Sequence, residues 1–296
     1  MFGRSIAIFA CVTLAIGLNP SMGQTTETFD DAAVLDFFGG ISGSKQPQDF
    51  GVNANLGFRT SVNYARPLTS DSTWATQVGA AVTTSDNAVR VFELLGEDTE
   101  RWQSFGTAGL FRDIGPWRYG AVFDVAYQDG FDESVLGQCR TRIGYMLDED
   151  TQIAFESRNR VFGDEVRFND AIQRLRSIDQ YSIGLRRWFQ TGVTGEMRLG
   201  VADRHGESNA VTGSASPQDN TFVFGADFSA PLNGSFAIYG ETNLMMPADT
   251  GTVDAYLGLA WFPKTPACCV SRRRFRPLLP VAAATSFAID LLPGSR

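Results

Sequence analysis

Residues 51–67 read GVNANLGFRTSVNYARP. Within this stretch Val52, Ala54, Leu56, Phe58, Thr60, Val62 and Tyr64 alternate with Asn53, Asn55, Gly57, Arg59, Ser61 and Asn63. Successive side chains of a strand point to opposite faces, so the alternation predicts an amphipathic strand with one apolar and one polar face. It is longer than the usual soluble strand of about five or six residues. The pattern returns as Trp117, Tyr119, Ala121, Phe123, Val125 and Tyr127, and again as Phe222, Phe224, Ala226 and Phe228. Long amphipathic strands in series point to an all-β, antiparallel, up-and-down transmembrane-type barrel.

Working outward, punctuation by turn residues predicts strands near Val34–Ser42, Gly51–Tyr64, Thr73–Thr84, Trp102–Arg112, Trp117–Gln128 and Ser134–Leu147. Six more follow near Thr151–Phe162, Gln180–Gln190, Thr194–Arg204, Asn220–Ala230, Ser235–Met246 and Thr252–Phe262. The total of about twelve is even, as expected for a single-chain outer-membrane barrel. Connections at Asp113–Pro116, Asp148–Asp150, Thr191–Val193 and Leu232–Gly234 are tight, whereas Ser85–Arg101, Gly163–Asp179 and Gly206–Asp219 are long. Tight and long connections should therefore fall on opposite ends of the barrel, the tight ones periplasmic.

The first residues predict the compartment. Arg4 precedes an apolar run from Ile6 to Leu18, followed by Ser21-Met22-Gly23, which is the pattern of a secretory signal peptide over 1–23 with the mature chain starting at Gln24. The run is shorter than the roughly twenty residues of a membrane-spanning helix. No other stretch is apolar for that long, so a membrane-bound chain would cross with strands. The expected organisation is 1–23 signal peptide, 24–263 barrel and 264–296 a basic, proline-rich extension, with the protein in the cell outer membrane. Cys139, Cys268 and Cys269 are an odd set with two adjacent, which gives neither a disulfide framework nor a zinc spacing.

The formal net charge of −8 argues against nucleic acid as a partner. Lys45 and Lys264 are the only lysines, and the other basic residues are all arginine. Arginine makes planar, bidentate contacts with carboxylates, so this bias suits charges facing a lumen. The polar faces carry Arg59, Asp124, Arg140, Arg142, Glu156, Arg158, Asp227, Glu241 and Asp254, with Arg160 and Arg186 on the same side. If the Asp148-Glu149-Asp150 turn joins its strands symmetrically, Arg142 falls opposite Glu156, Arg140 opposite Arg158 and Gln138 opposite Arg160. An arginine arc facing the acids of the last strands would set up a field that sorts solutes. Trp74, Trp102, Trp117, Trp188 and Trp261 all lie near predicted strand ends, as in an interfacial aromatic girdle. Alternation alone does not say which face is wet, and a soluble version would flatten into a sandwich. About twelve strands closing on themselves enclose a lumen too wide for their own side chains to fill.

Three segments carry a resemblance: Phe37–Tyr64 (FFGGISGSKQPQDFGVNANLGFRTSVNY), Gln77–Glu93 (QVGAAVTTSDNAVRVFE) and Phe275–Asp290 (FRPLLPVAAATSFAID). The chain resembles an uncharacterised family of predicted outer-membrane β-barrel proteins of planctomycete bacteria. That resemblance implies export and a barrel, and assigns no residue a role. One departure from ordinary outer-membrane proteins is that more than thirty residues follow the closing strand Val253–Trp261. They include Arg272, Arg273, Arg274 and Arg276, read as a solvated linker to a short docking segment at Thr285–Ile289.

His205 is the single histidine, beside Asp203, Glu207 and Ser208. Catalysis would need groups from different strands to converge, which adjacency does not supply, so no enzyme, catalytic residue, metal or cofactor is expected. The expected function is a passive pore for small polar or anionic solutes, embedded in outer-membrane lipid. A non-conducting barrel that anchors the cell envelope and an exported soluble β-protein are the alternatives.

Overall fold

The computed structural model describes residues 33–45, 55–69, 72–86, 100–129, 132–168, 171–203, 221–246 and 252–293. The signal-peptide residues, His205 and the loop segments 46–54, 87–99, 204–220 and 247–251 lie outside them. Twelve strands close into one antiparallel barrel. In chain order they begin with β1 (Val34–Lys45), β2 (Asn55–Pro67), β3 (Trp74–Asp86), β4 (Glu100–Ile114), β5 (Trp117–Asp129), β6 (Ser134–Met146) and β7 (Thr151–Phe162). β8 (Asp164–Phe168) and β9 (Ala171–Ser177) form a hairpin outside the ring, and β10 (Gln180–Trp188) resumes it. β11 (Thr194–Ala202), β12 (Thr221–Pro231), β13 (Phe236–Met246) and β14 (Val253–Trp261) complete it, with β14 pairing back onto β1. β15 (Ile289–Pro293) adds to β9, giving a separate three-stranded sheet.

Strand limits agree with the alternation to within a few residues, because the period of two ends where the turns begin. Gly163–Asp179, expected to be only a long connection, contains the β8–β9 hairpin. β4 and β5 meet through Gly115, whose φ of 57° is left-handed, and the β10–β11 turn holds Gly192 at φ 82°. The four turns expected to be tight, together with the Leu68–Thr73 connection, cluster at one end, here called the tight-turn end. The β8–β9 hairpin and the long connections lie at the other, the long-loop end. Pairing across β6–β7 sets Gln138 opposite Arg160, Arg140 opposite Arg158 and Arg142 opposite Glu156, the register a symmetric turn requires.

The two faces differ in the sense a bilayer demands. Leu56, Phe58, Ile143, Ile183, Leu199 and Leu257, from strands all round the ring, stand on its outside and are exposed. Soluble monomers rarely expose contiguous apolar surface beyond a few hundred Å², whereas lipid requires it. At the tight-turn end Trp74 packs edge-on to Tyr119, Trp117 on Tyr145, and Trp261 between Phe37 and Phe236. Trp102 marks the opposite rim. Trp188, expected in the same belt, is instead buried inside the barrel, where its indole N–H donates to the Ser271 carbonyl at 3.1 Å. Its β10 position is in phase with the inward Gly184 and Arg186, so strand parity overrides its place near a strand end.

The segment after β14 is neither a solvated linker nor a separate extension. It crosses the tight-turn end, where the Ala267 N–H donates to the Gly234 carbonyl at 3.0 Å, Arg272 pairs with Asp150 at 2.6 Å and Arg274 reaches the Asp113 carbonyl at 3.0 Å. It then turns into the ring at Phe275, runs through the lumen, and emerges at the long-loop end as β15. Two apolar clusters mark this passage. Phe275, Leu278 and Leu279 pack on Ala65, Ala75, Phe111 and Val122 near the tight turns. Val281, Ala282, Phe287 and Ile289 pack on Ala81, Phe105, Ala126 and Leu136, with Val166 and Leu175 of the hairpin above them. Thr285–Ile289 does dock, as the tail reading expected, but inside the barrel.

Candidate functional site: the filled lumen

The wall of the lumen holds the passing segment chiefly by its backbone. Gln77 of β3 accepts hydrogen bonds from the Leu278 and Leu279 amides at 2.8 and 3.3 Å, and its amide group donates to the Leu279 carbonyl. Asn63 of β2 donates to that carbonyl at 3.3 Å. Arg140 of β6 donates to the Pro280 carbonyl at 2.9 Å, Arg158 of β7 to that of Thr285 at 3.1 Å, and Gln138 to that of Ser286 at 3.1 Å. Thr107 of β4 accepts from the Ala282 amide at 2.9 Å while its own hydroxyl donates to Asp124 at 2.7 Å. Buried amides and carbonyls are costly to leave unpaired, so a segment without secondary structure can lie in a dry lumen only where side chains complete its bonds. Small side chains let it pass: Gly79 lies so close to Val281 that a Cβ there would run into Val281 Cγ2.

The charged side chains expected to face the lumen pair with one another. Arg140 grips Asp124 through Nε at 2.5 Å and Nη2 at 3.0 Å, both groups fully buried. Arg142 makes a two-pronged contact with Glu196, 2.8 Å for each prong, and reaches Glu156 at 3.4 Å. Arg158 turns to Glu156 at 3.0 Å, so the like charges of Arg140 and Arg158, opposite in register, point to different acids. Arg186 meets Glu196 at 2.6 Å, and Arg198 meets Asp227 at 3.2 Å. Across the β1–β14 seam Arg59 pairs with Glu241 at 2.6 Å and lies over the Tyr256 ring at 3.7 Å. Asp254 is buried on the same inner face of β14. Arg160 is exposed at the end of β7, and its backbone amide, not its side chain, bonds to Asp179.

Paired in this way, the arginine and acidic arcs cancel locally instead of setting up a field across an open channel. Glu196 and Arg198 of β11 were not singled out by the sequence reading, although both continue the polar face of a predicted strand. Gln77, Asn63 and Thr107, which hold the segment, were also missed, since uncharged polar residues look alike on any wet face. One signal was available. Phe105, Phe111, Val122 and Leu136 stand on the inward, polar-patterned faces of β4, β5 and β6. Large apolar side chains on a face expected to be hydrated imply something dry against them.

Among the described residues, no group of three or more His, Cys, Asp or Glu side chains is placed to hold a metal ion. The sequence matches the family of unknown function DUF6666 over residues 34–289, from the first residue of β1 to the first of β15. The chain belongs to the DUF6666 family. The match runs through the lumen segment, so in this DUF6666 protein that segment is part of the family's own domain. No curated protein sequence matches it.

Among solved structures, the DUF6666 protein is similar to the KdgM porin, with 8% identity over 77% of this chain and 98% of that one and a TM-score of 0.42. It is similar to the β domain of the Bordetella autotransporter BrkA, with 11% identity, 78% and 99% coverage and a TM-score of 0.43. The outer membrane phospholipase (OMPLA) dimer of Salmonella typhi with bound calcium gives 6% identity, 76% and 90% coverage and a TM-score of 0.43. At those values the likeness transfers no activity, and the barrel rests on its own strand pairing.

Proposed function

We propose that the protein is an outer-membrane β-barrel that its own C-terminal segment keeps closed, a structural or anchoring barrel of the cell envelope and not a passive solute pore. The observation behind this reading is the course of residues 275–289 through the lumen, bonded to Asn63, Gln77, Thr107, Gln138, Arg140 and Arg158. The mutual pairing of the lumen charges supports it, because paired guanidinium and carboxylate groups offer little to a passing solute. The reading assigns no catalytic step.

Planar-bilayer recording of the full chain, refolded from detergent, tests it. The wild-type protein should insert and stay silent. Gln77→Ala combined with Thr107→Val, which removes wall contacts to the segment from Leu278 to Ala282, should produce stepwise openings. Steady conductance in the wild type, with an anion preference that weakens in Arg140→Ala plus Arg158→Ala, would restore the pore.

A further inference from the structure

At the tight-turn mouth, arginines outnumber the acids that pair with them. Arg276 lies where the C-terminal segment turns into the ring, half-buried, its guanidinium over the Trp188 ring at 5.0 Å. Among the described residues that guanidinium makes no hydrogen bond and no ion pair. The charges of Arg186, Arg118 and Arg142 all bear on it. Arg118 of β5 is buried, donates through Nη2 to the Arg276 carbonyl, and stands over Phe111 at 5.0 Å. Its Nε is buried with no partner. Glu196 is already shared among Arg142, Arg186 and Arg198, so it leaves little negative charge for Arg276. Asp36 is the acid of β1 that bears on Arg276, yet its Oδ1 is buried and unbonded, so the two do not form a closed pair.

Like charges gathered around an unbonded guanidinium and a buried, unbonded N–H are the arrangement a bound anion would complete. Guanidinium forks match oxyanions of two or more oxygens better than a halide. We infer that the tight-turn mouth binds a small free oxyanion of the phosphate class between Arg276 and Arg118. Both side chains face the inner side of the wall, where no bilayer headgroup reaches, so the ligand is a soluble anion and not a lipid. Because Arg276 belongs to the lumen segment and Arg118 to the wall, the anion would tie one to the other at the point of insertion.

The test is equilibrium dialysis of the full chain in detergent against labelled inorganic phosphate, with sodium chloride matched for ionic strength. Saturable binding of about one phosphate per chain is expected, weakened roughly tenfold or more in Arg276→Gln, as the loss of a charge-assisted contact implies. Arg276→Lys, which keeps the charge but not the fork, should fall between the two. Heat-modifiable migration of each variant establishes that the barrel is intact. Absence of saturable binding, displacement by chloride at equal ionic strength, or wild-type affinity in Arg276→Gln would overturn the assignment. Bilayer conductance is a separate readout, so a conducting wild type that still binds phosphate would overturn the closed barrel and leave this site standing.

Discussion

Three guanidinium groups, from Arg142, Arg186 and Arg198, converge on Glu196 at 2.8, 2.6 and 3.6 Å, and the acid is fully buried. Burying charge is tolerable only when it is paired, and removing one partner leaves the others uncompensated. Glu196→Ala should therefore lower the unfolding free energy by about 3–5 kcal/mol, read from denaturant titration in detergent by the loss of β-sheet circular dichroism. Replacing an exposed pair such as Arg272–Asp150 should change it by about 1 kcal/mol or less. A second prediction concerns the adjacent thiols outside the membrane. Cys268 and Cys269 are both exposed, with Sγ atoms 2.7 Å apart, and the hydrogen bond from its neighbour holds the Cys269 thiol above the usual cysteine range. A raised pKa means less thiolate at neutral pH, and the thiolate is the reacting form. Cys268→Ala should thus bring the Cys269 pKa down and speed its alkylation, measured as iodoacetamide labelling rate against pH.

For the strands and turns, periodicity carried nearly everything. Val34 to Lys45 and the other barrel strands alternate because each separates lipid from lumen, and the Asp148–Asp150 turn fixes the β6–β7 register by its length alone. The lumen segment was not legible in the same way. Residues such as Leu278, Val281 and Phe287 have no period, and an apolar stretch rich in proline and alanine reads identically whether it covers a surface or fills a tube. Its partners lie some two hundred positions away, as Gln77 does from Leu279, and one sequence contains no record of that contact. Turns are the other element with a specific expectation. Gly192 is held at φ 82°, and a Cβ there would also lie 3.0 Å from the Cys268 Cα. Gly192→Ala should cost roughly 1–2 kcal/mol, the penalty of a left-handed conformation for a residue with a side chain, and should show as a lower unfolding midpoint. The same change at Gly115, where no atom lies within 4 Å of a built Cβ, isolates the backbone contribution.

For the molecule as a whole, β1 starts at the tight-turn end and β15 lies at the long-loop end, so the two described ends of the chain are on opposite sides of the wall. A protease site placed before Val34 and another placed after Arg296 should accordingly be cut from opposite faces of sealed proteoliposomes. Finding both on one face would contradict the passage through the ring. That passage also bears on biogenesis. The seam that completes the ring joins β1 to β14, and the occupant of the ring is the stretch of chain made after β14. Chains rarely thread through their own loops, so the last residues must either be drawn end-first through a finished hoop or wait in place while the hoop is sewn shut around them. The two orders part company when a compact, fast-folding domain is fused to Arg296: an end-first passage would stall at the mouth with an empty barrel, whereas closure around a waiting strand would display the cargo beyond the long loops. Closure around the strand is the expected outcome, because the contacts of Asn63, Gln77 and Thr107 with it all come from strands made well before the seam.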